Sequence, residues 1–405
     1  MQIPKDNPLP SFLHSSSESN LCHAVHSSGR KRRVALVAQG GGQRGIYTSG
    51  VLDSFLDAGF DPFEMYIGTS AGALNISSYL TRQRGFGRRF ITEYTTQDRF
   101  FNLLKYVRRQ QFMDLDWALE IMGPTHSLGL DIEKAKNVLV NRHAYACATN
   151  TQTLEPDYFR LFENDWMDVL TATCAIPMLY PNSVKLGDQY YVDGGVSSAI
   201  PAREAFNRGA DVIVVIRTEP VVQDKSHISS TIIENIRGRV ETRLPEYLAR
   251  LNMDDRFERL SEFHQQLSQR LEEVKQRYKE NTPEPLWEKI KEMMPKTTHR
   301  NGGRWLYGGD TIYRLHAMSG QKLSSDVLEM MTKHFHSYQD AIQFMSHPPH
   351  RAELIQISPS EPLLSSPLLS KPYQLEHDYQ DGLVAGRRFI DEYAAVLNDV
   401  SSVNG

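Results

Sequence analysis

Three short stretches bring together residue types that could do chemistry. Gly40-Gly41-Gly42-Gln43-Arg44-Gly45 is a glycine-rich loop between an apolar run and a helical stretch. Backbone N–H groups at a helix start favour negative charge, through both the unpaired donors and the macrodipole. Gly40, Gly42 and Gly45 also spell GxGxxG, so two ligands compete for the loop: a dinucleotide pyrophosphate and a transient oxyanion.

The second stretch, Gly68-Thr69-Ser70-Ala71-Gly72, is a GxSxG set between an apolar strand and a helical run. Small residues on both sides permit a sharp strand-to-helix turn that lifts a serine hydroxyl above a sheet as a nucleophile. In the third, Tyr190-Tyr191-Val192-Asp193-Gly194-Gly195, a strand end delivers a carboxylate into a glycine turn. Alone, Asp-Gly marks ordinary turns.

The elements around these stretches must position them. Val34 to Ala38 reads as a strand, Gly45 to about Ala58 as a helix and Met65 to Ile67 as the next strand, which together make a βαβ unit. Arg82 to Ile121 reads as helices, Ala144 to Thr149 as a strand, and a helix begins near Trp166. Val212 to Ile216 is a β-branched run typical of a strand buried on both faces. Residues 1–30 read as a poorly ordered leader, and 31–405 as the α/β domain. Arg30-Lys31-Arg32-Arg33 is either a solvated lead-in or a weak tether to anionic headgroups. A charged helical insertion is expected at 229–294, either packed on the domain surface or contacting a membrane interface. A mixed segment then leads into residues 345–400, which hold the last strand, Leu354 to Ile357, and a closing helix from about Tyr379 to Leu397. Gly382 and Gly386 would let that helix pack close to a neighbour.

Composition narrows the function. Lys+Arg total 45 against 49 Asp+Glu in 405 residues, a net charge of -4, so no basic field argues for nucleic acid. No secretory signal or bilayer-length apolar run is read. Cys22, Cys147 and Cys174 have no metal-ligand spacing and fit a reducing compartment, so a cytoplasmic protein is expected. Cys174 reads as packing. Asp61 and Glu64 precede the second strand, whereas a dinucleotide site needs its acid at that strand's end. There is no GK[ST] for a P-loop.

Together the loop, the Ser70 turn and the Asp193 turn resemble the patatin-like phospholipases, with their DGGGxRG loop, GxSxG serine and DGG or DGA aspartate. Thr173-Cys174-Ala175-Ile176-Pro177 is similar to that family's S-A-x-P block. The resemblance covers about residues 34–220. Gln39 replaces the frequent first Asp of the loop, and Ala199-Ile200-Pro201 the frequent Asn-Asn-Pro. The resemblance implies a patatin-like three-layer α/β sandwich with a mostly parallel central sheet and a helical insertion. It implies a lipid acyl hydrolase of phospholipase A or lysophospholipase type, acting on lipid or phospholipid without cofactor or metal, with peripheral contact at the inner membrane. The family's pair maps to Ser70 as nucleophile and Asp193 as base, without histidine. The oxyanion hole maps to the amides of Gly40, Gly41, Gly42 and Ala71, supported by Arg44, Gly45, Gly68, Gly72, Gly194 and Gly195. Arg44 either steadies the loop, attracts a lipid phosphate or makes a surface ion pair. Two rivals stand beside this reading. One is a Ser-His-Asp triad using His334, His336, His347, His350 or His377; the other is a non-catalytic protein that binds a lipid or partner in the same pocket.

Overall fold

Val34–Ala38 and Val212–Ile216 are five-residue apolar runs with every residue buried, as expected for strands covered on both faces. In the computed structural model they pair in parallel near the centre of a sheet with nine strands among the described residues. The structure describes residues 12–14, 32–221 and 325–402, apart from 108, 127 and 164. All of these belong to one compact unit of the chain, Met1–Val221 with Arg304–Gly405. The insertion expected at 229–294 lies outside the described residues.

The strands are β1 (Phe12–His14), β2 (Val34–Ala38), β3 (Met65–Thr69), β4 (His143–Asn150), β5 (Pro156–Arg160), β6 (Val184–Leu186), β7 (Gln189–Asp193), β8 (Val212–Ile216) and β9 (Glu353–Ile357). Their order is β1-β9-β8-β2-β3-β4-β7-β6, with β5 also on β4. The central run β9-β8-β2-β3-β4 is parallel, and β1, β5, β6 and β7 pair antiparallel.

The helices are α1 (Gly45–Asp57), α2 (Ala71–Leu80), α3 (Phe86–Arg89) running into a π turn (Phe90–Tyr94), α4 (Leu103–Val107), α5 (Leu115–Glu120), α6 (Ile132–Val138), α7 (Trp166–Cys174), α8 (Gly195–Ser198), α9 (Ala202–Asn207), α10 (Ser325–Ser346) and α11 (Pro372–Ser402). The result is a three-layer α/β sandwich around a mostly parallel sheet.

Side chains alternate across a strand, and the two sets meet different helices. Ala35, Val37, Ile67, Ile213 and Val215 pack with Ala205 of α9 and with Phe344 and Met345 of α10. The opposite face is covered by α1 and α11. There the Phe55 ring lies 5.0 Å from Phe60 and 5.7 Å from Phe389, and Phe63 lies 6.0 Å from Tyr66.

The crossing of α1 and α11 is close enough to require glycine. A Cβ on Gly50 would collide with the Tyr379 carbonyl oxygen, and one on Gly382 with that of Tyr47. Gly386 likewise fits over Ser54 and Val51, so the close approach expected from the Gly382/Gly386 spacing is present.

Three expectations need correction. The leader is not wholly without structure, because Phe12–His14 pairs with Ile355–Ile357 and satisfies the backbone groups that β9 would otherwise leave open at the sheet edge. The stretch before β9, read as mixed, contains the 22-residue α10. The closing helix begins at Pro372, seven residues before Tyr379. Proline is suited to a first helical position, where no N–H is needed.

Candidate active site

The turn after β3 holds Ser70 at φ 53°, ψ −127°, a conformation that L residues rarely adopt and that is typical of strained functional positions. Its two flanking glycines make the turn possible. A Cβ on Gly68 would strike the Ala73 backbone, and one on Gly72 would strike the Ala38 carbonyl at the end of β2. The Ser70 amide donates to Thr173 Oγ1 at 2.9 Å, and Thr173 in turn donates to the Cys147 carbonyl of β4. Thr173 therefore braces the turn from α7.

Register sets Asp193 level with this serine. Thr69 pairs with Cys147, and Ala148 pairs with Asp193. Ser70, one step beyond Thr69, shares the row of Ala148 and Asp193, with about 10 Å between the outer backbones. Both backbones are tied to the end of α7, Ser70 through Thr173 and Asp193 through the Ala175 carbonyl. The Cys174 thiol is buried in the field of the Asp193 carboxylate; burial, then that charge, pushes its pKa well up, with Ser70 opposing. Cys174 was expected only to pack, and it also borders the Ser70 cavity.

Asp193 is fully buried. Its Oδ1 accepts from the Gly195 amide at 2.8 Å, and its own amide donates to the Ala175 carbonyl at 2.9 Å. Gly194 passes so near β4 that a Cβ would strike the Cys147 carbonyl.

The glycine loop lies across from Ser70. Gly42, Ser70 and Ala71 border one cavity. Among the described residues the amides of Gly41, Gly42 and Ala71 donate to no other group, which leaves three donors at adjoining helix starts. Gly40 is a correction, because its N–H is taken up by the Ala199 carbonyl at 3.1 Å. It anchors the loop and is removed from the donor set.

Both departures from the family pattern have local uses. Ala199 supplies that anchoring carbonyl. Gln39 accepts from the Thr218 amide at 3.2 Å through its side chain, tying the loop to the end of β8. Gly45 opens α1, and its amide turns back to the Gln43 and Gly42 carbonyls.

Arg44 is buried rather than at the surface. Its Nη1 lies 3.2 Å from Glu219, and Tyr338 of α10 donates to the other Glu219 oxygen. Burial lowers the guanidinium to about 10, with Tyr338 opposing, so it stays charged at neutral pH. Of the readings open for Arg44, steadying the loop is the one this contact fits.

Among the described residues no histidine borders the cavity at Ser70. His334 Nδ1 lies 2.6 Å from the Gly195 carbonyl, and burial lowers its pKa, so the neutral ring donates through Nδ1. His377 lies on α11 beside Asp378 and Asp381.

The cavity itself was not legible beforehand. It is walled by Leu74, Phe90, Phe100, Met113, Leu115 and Leu368, residues from five separate segments. A π turn, often found at functional sites, supplies Phe90.

A strained serine, a buried carboxylate on its row and idle amides at two helix starts are the residue types that nucleophilic acyl chemistry would use, set here on an α/β sandwich. The profile described as patatin-like phospholipase matches residues 36–206, and that of a domain of unknown function, DUF6363, matches 324–398. The uncharacterized protein YjjU of Escherichia coli (strain K12) is 32% identical over 367 residues, covering 91% of this chain and 80% of its own. The chain belongs to the patatin-like phospholipase family. VipD from Legionella pneumophila is 11% identical, covering 96% of this chain and 72% of that chain at a TM-score of 0.32, too distant to bear on the site. No helix among the described residues is long and apolar enough to cross a membrane.

Proposed function

We propose that the protein is a lipid acyl hydrolase of phospholipase A or lysophospholipase type that cleaves carboxylic esters through Ser70 and Asp193. The observation that carries this reading is the strained Ser70 turn facing idle amides, with Asp193 on the same row of the sheet.

In this mechanism Ser70 Oγ attacks the ester carbonyl carbon while the Asp193 carboxylate takes its proton. The resulting oxyanion accepts from the amides of Gly41, Gly42 and Ala71, and loss of one such donor costs on the order of 3 kcal/mol. Collapse breaks the ester C–O bond, and the alcohol leaves with the proton. Water then attacks the acyl-enzyme, Asp193 takes its proton, and the free acid leaves as Ser70 is restored. Asp193 acts without a histidine because Gly195 fixes one carboxylate oxygen and the Ala175 carbonyl fixes its backbone.

The test is product analysis on a panel of phospholipids, lysophospholipids and simple acyl esters. Wild type is expected to release free acid, and Ser70→Ala and Asp193→Asn to lose at least about 10³-fold in kcat while remaining folded. Variants at His334, His336, His347, His350 and His377 that retain the fold are expected to retain hydrolysis. Absence of hydrolysis with retained lipid binding would support the non-catalytic reading instead. Peripheral membrane contact through residues 229–294 is part of the proposal. Liposome flotation equal with and without that segment would remove it.

A further inference from the structure

Gln43 is 2% exposed and directly follows Gly41 and Gly42. A buried amide is costly unless its polar groups are paired, and both ends of this one are used. Its Oε1 accepts from the Ser370 amide at 2.8 Å. Its Nε2 donates to the Thr95 carbonyl at 3.0 Å and to Thr95 Oγ1 at 3.1 Å. The Thr95 hydroxyl gives its own proton to the Ile91 carbonyl at 2.7 Å, so towards Gln43 it only accepts. The Gln43 backbone N–H donates to the Pro367 carbonyl at 2.9 Å.

The segments that Gln43 joins are themselves fixed. The Ser366 amide donates to Ser370 Oγ at 2.9 Å, and that hydroxyl donates back to the Ser366 carbonyl at 2.8 Å. Upstream, the buried Asp378 of α11 accepts from the amides of Leu364 and Ser365 at 3.1 and 2.7 Å. The Thr95 amide closes the π turn on the Phe90 carbonyl at 3.2 Å.

The glycine loop is therefore pinned on both sides of its idle amides. Gly40 is held by Ala199, Gln43 by the groups above, and only Gly41 and Gly42 lie between. A Cβ on Gly41 would meet Thr218 Oγ1, and one on Gly42, at φ 57°, would strike the Pro367 carbonyl. We infer that Gln43 is a positioning residue, which aims the Gly41 and Gly42 amides by tying their loop to Thr95 and to the segment 364–370. The inference rests on the ester-hydrolase reading above. It gives the matched region 324–398 a part in the chemistry, as the far anchor of the oxyanion donors. Such donors act only when aimed where charge develops, and a misplacement of about 1 Å costs on the order of 10²-fold.

The test is Gln43→Glu in the full chain, with p-nitrophenyl butyrate as substrate. The introduced carboxylate keeps the shape of the amide but has no proton for Thr95; its protonated form has one. Near pH 8, kcat is expected to fall at least about tenfold with KM within about twofold of wild type. The deficit should shrink against wild type at the same pH as the pH falls towards about 5.5. Two inhibitors separate aim from packing. Ser70 Oγ adds to the carbonyl carbon of a trifluoromethyl ketone, whose oxygen takes the negative charge while Asp193 takes the proton, so its binding needs the donors. The matching alcohol fills the same space without an oxyanion. The ketone should lose at least about tenfold more affinity than the alcohol. Thr95→Val, which keeps the volume and removes one acceptor, should show the same bias at about two- to tenfold, and it decides the matter if Gln43→Glu does not fold. Unchanged kcat near pH 8, a loss confined to KM, or equal losses for ketone and alcohol would overturn the inference and leave the hydrolase reading intact. Wild-type protein that releases no acid from any ester would defeat both.

Discussion

A serine at φ 53° costs roughly 1–3 kcal/mol that neighbouring structure must offset, and the residues that do so are polar and buried. Arg44 and Glu219 form such a pair, with Tyr338 on the second Glu219 oxygen. Removing one partner of a buried pair leaves an uncompensated charge and costs about 3–5 kcal/mol. Glu219→Gln is therefore expected to lower unfolding free energy in urea by that order, and Arg44→Met with Glu219→Leu by clearly less. Equal losses would place the stability elsewhere. The Ser70 turn, the Asp193 turn and the glycine loop were readable at this scale because motif and strand–turn–helix context coincide. The bonds of Gly40 to Ala199 and Arg44 to Glu219 were not. Each joins residues more than 150 positions apart, and no local pattern records such a contact.

At the scale of elements, α10 holds the Asp193 turn from below through His334, whose Nδ1 meets the Gly195 carbonyl. Burial lowers the folded pKa of this imidazole. Its contribution to stability is fully present above the unfolded value of about 6.5 and is lost as the pH falls through the lower folded value. Urea unfolding at about pH 7.5, 6 and 5 should show wild type losing stability that His334→Asn never had, so the gap between them narrows in acid. A constant gap would contradict this coupling. The helix escaped sequence reading for the same reason that it matters. His334 and Tyr338 are polar residues used in the interior, so they blur the apolar stripe that would otherwise announce a helix. The strands β2 and β8 had no such conflict, and their unbroken apolar runs were enough.

Across the whole molecule, the two matched regions, 36–206 and 324–398, share one core. Residues 324–398 supply β9 beside β8, α10 under one sheet face, most of α11 over the other and the Leu368 wall of the cavity. A chain ending at 221 would expose Phe55 and Phe60, which Phe389 now covers, and is expected to aggregate. Gly382→Val tests the same docking with the chain complete. Its side chain meets backbone, which cannot yield as a rotamer can, so the loss should reach or exceed the roughly 1–3 kcal/mol of ordinary overpacking. Thermal unfolding unchanged from wild type would refute the close crossing. The mostly parallel sheet and the covering of both faces were foreseeable from strand types and the family resemblance. The edge strand β1 was not, since three residues outside any periodic run give too little pattern.

The central claim is that Ser70 is an activated nucleophile. A fluorophosphonate probe, followed by peptide mass spectrometry, asks this of the folded protein without knowledge of the substrate. The account predicts one adduct, on Ser70, absent in Ser70→Ala and formed much more slowly in Asp193→Asn. Folded wild-type protein that takes no label, or a label that persists when Ser70 is alanine, would contradict it.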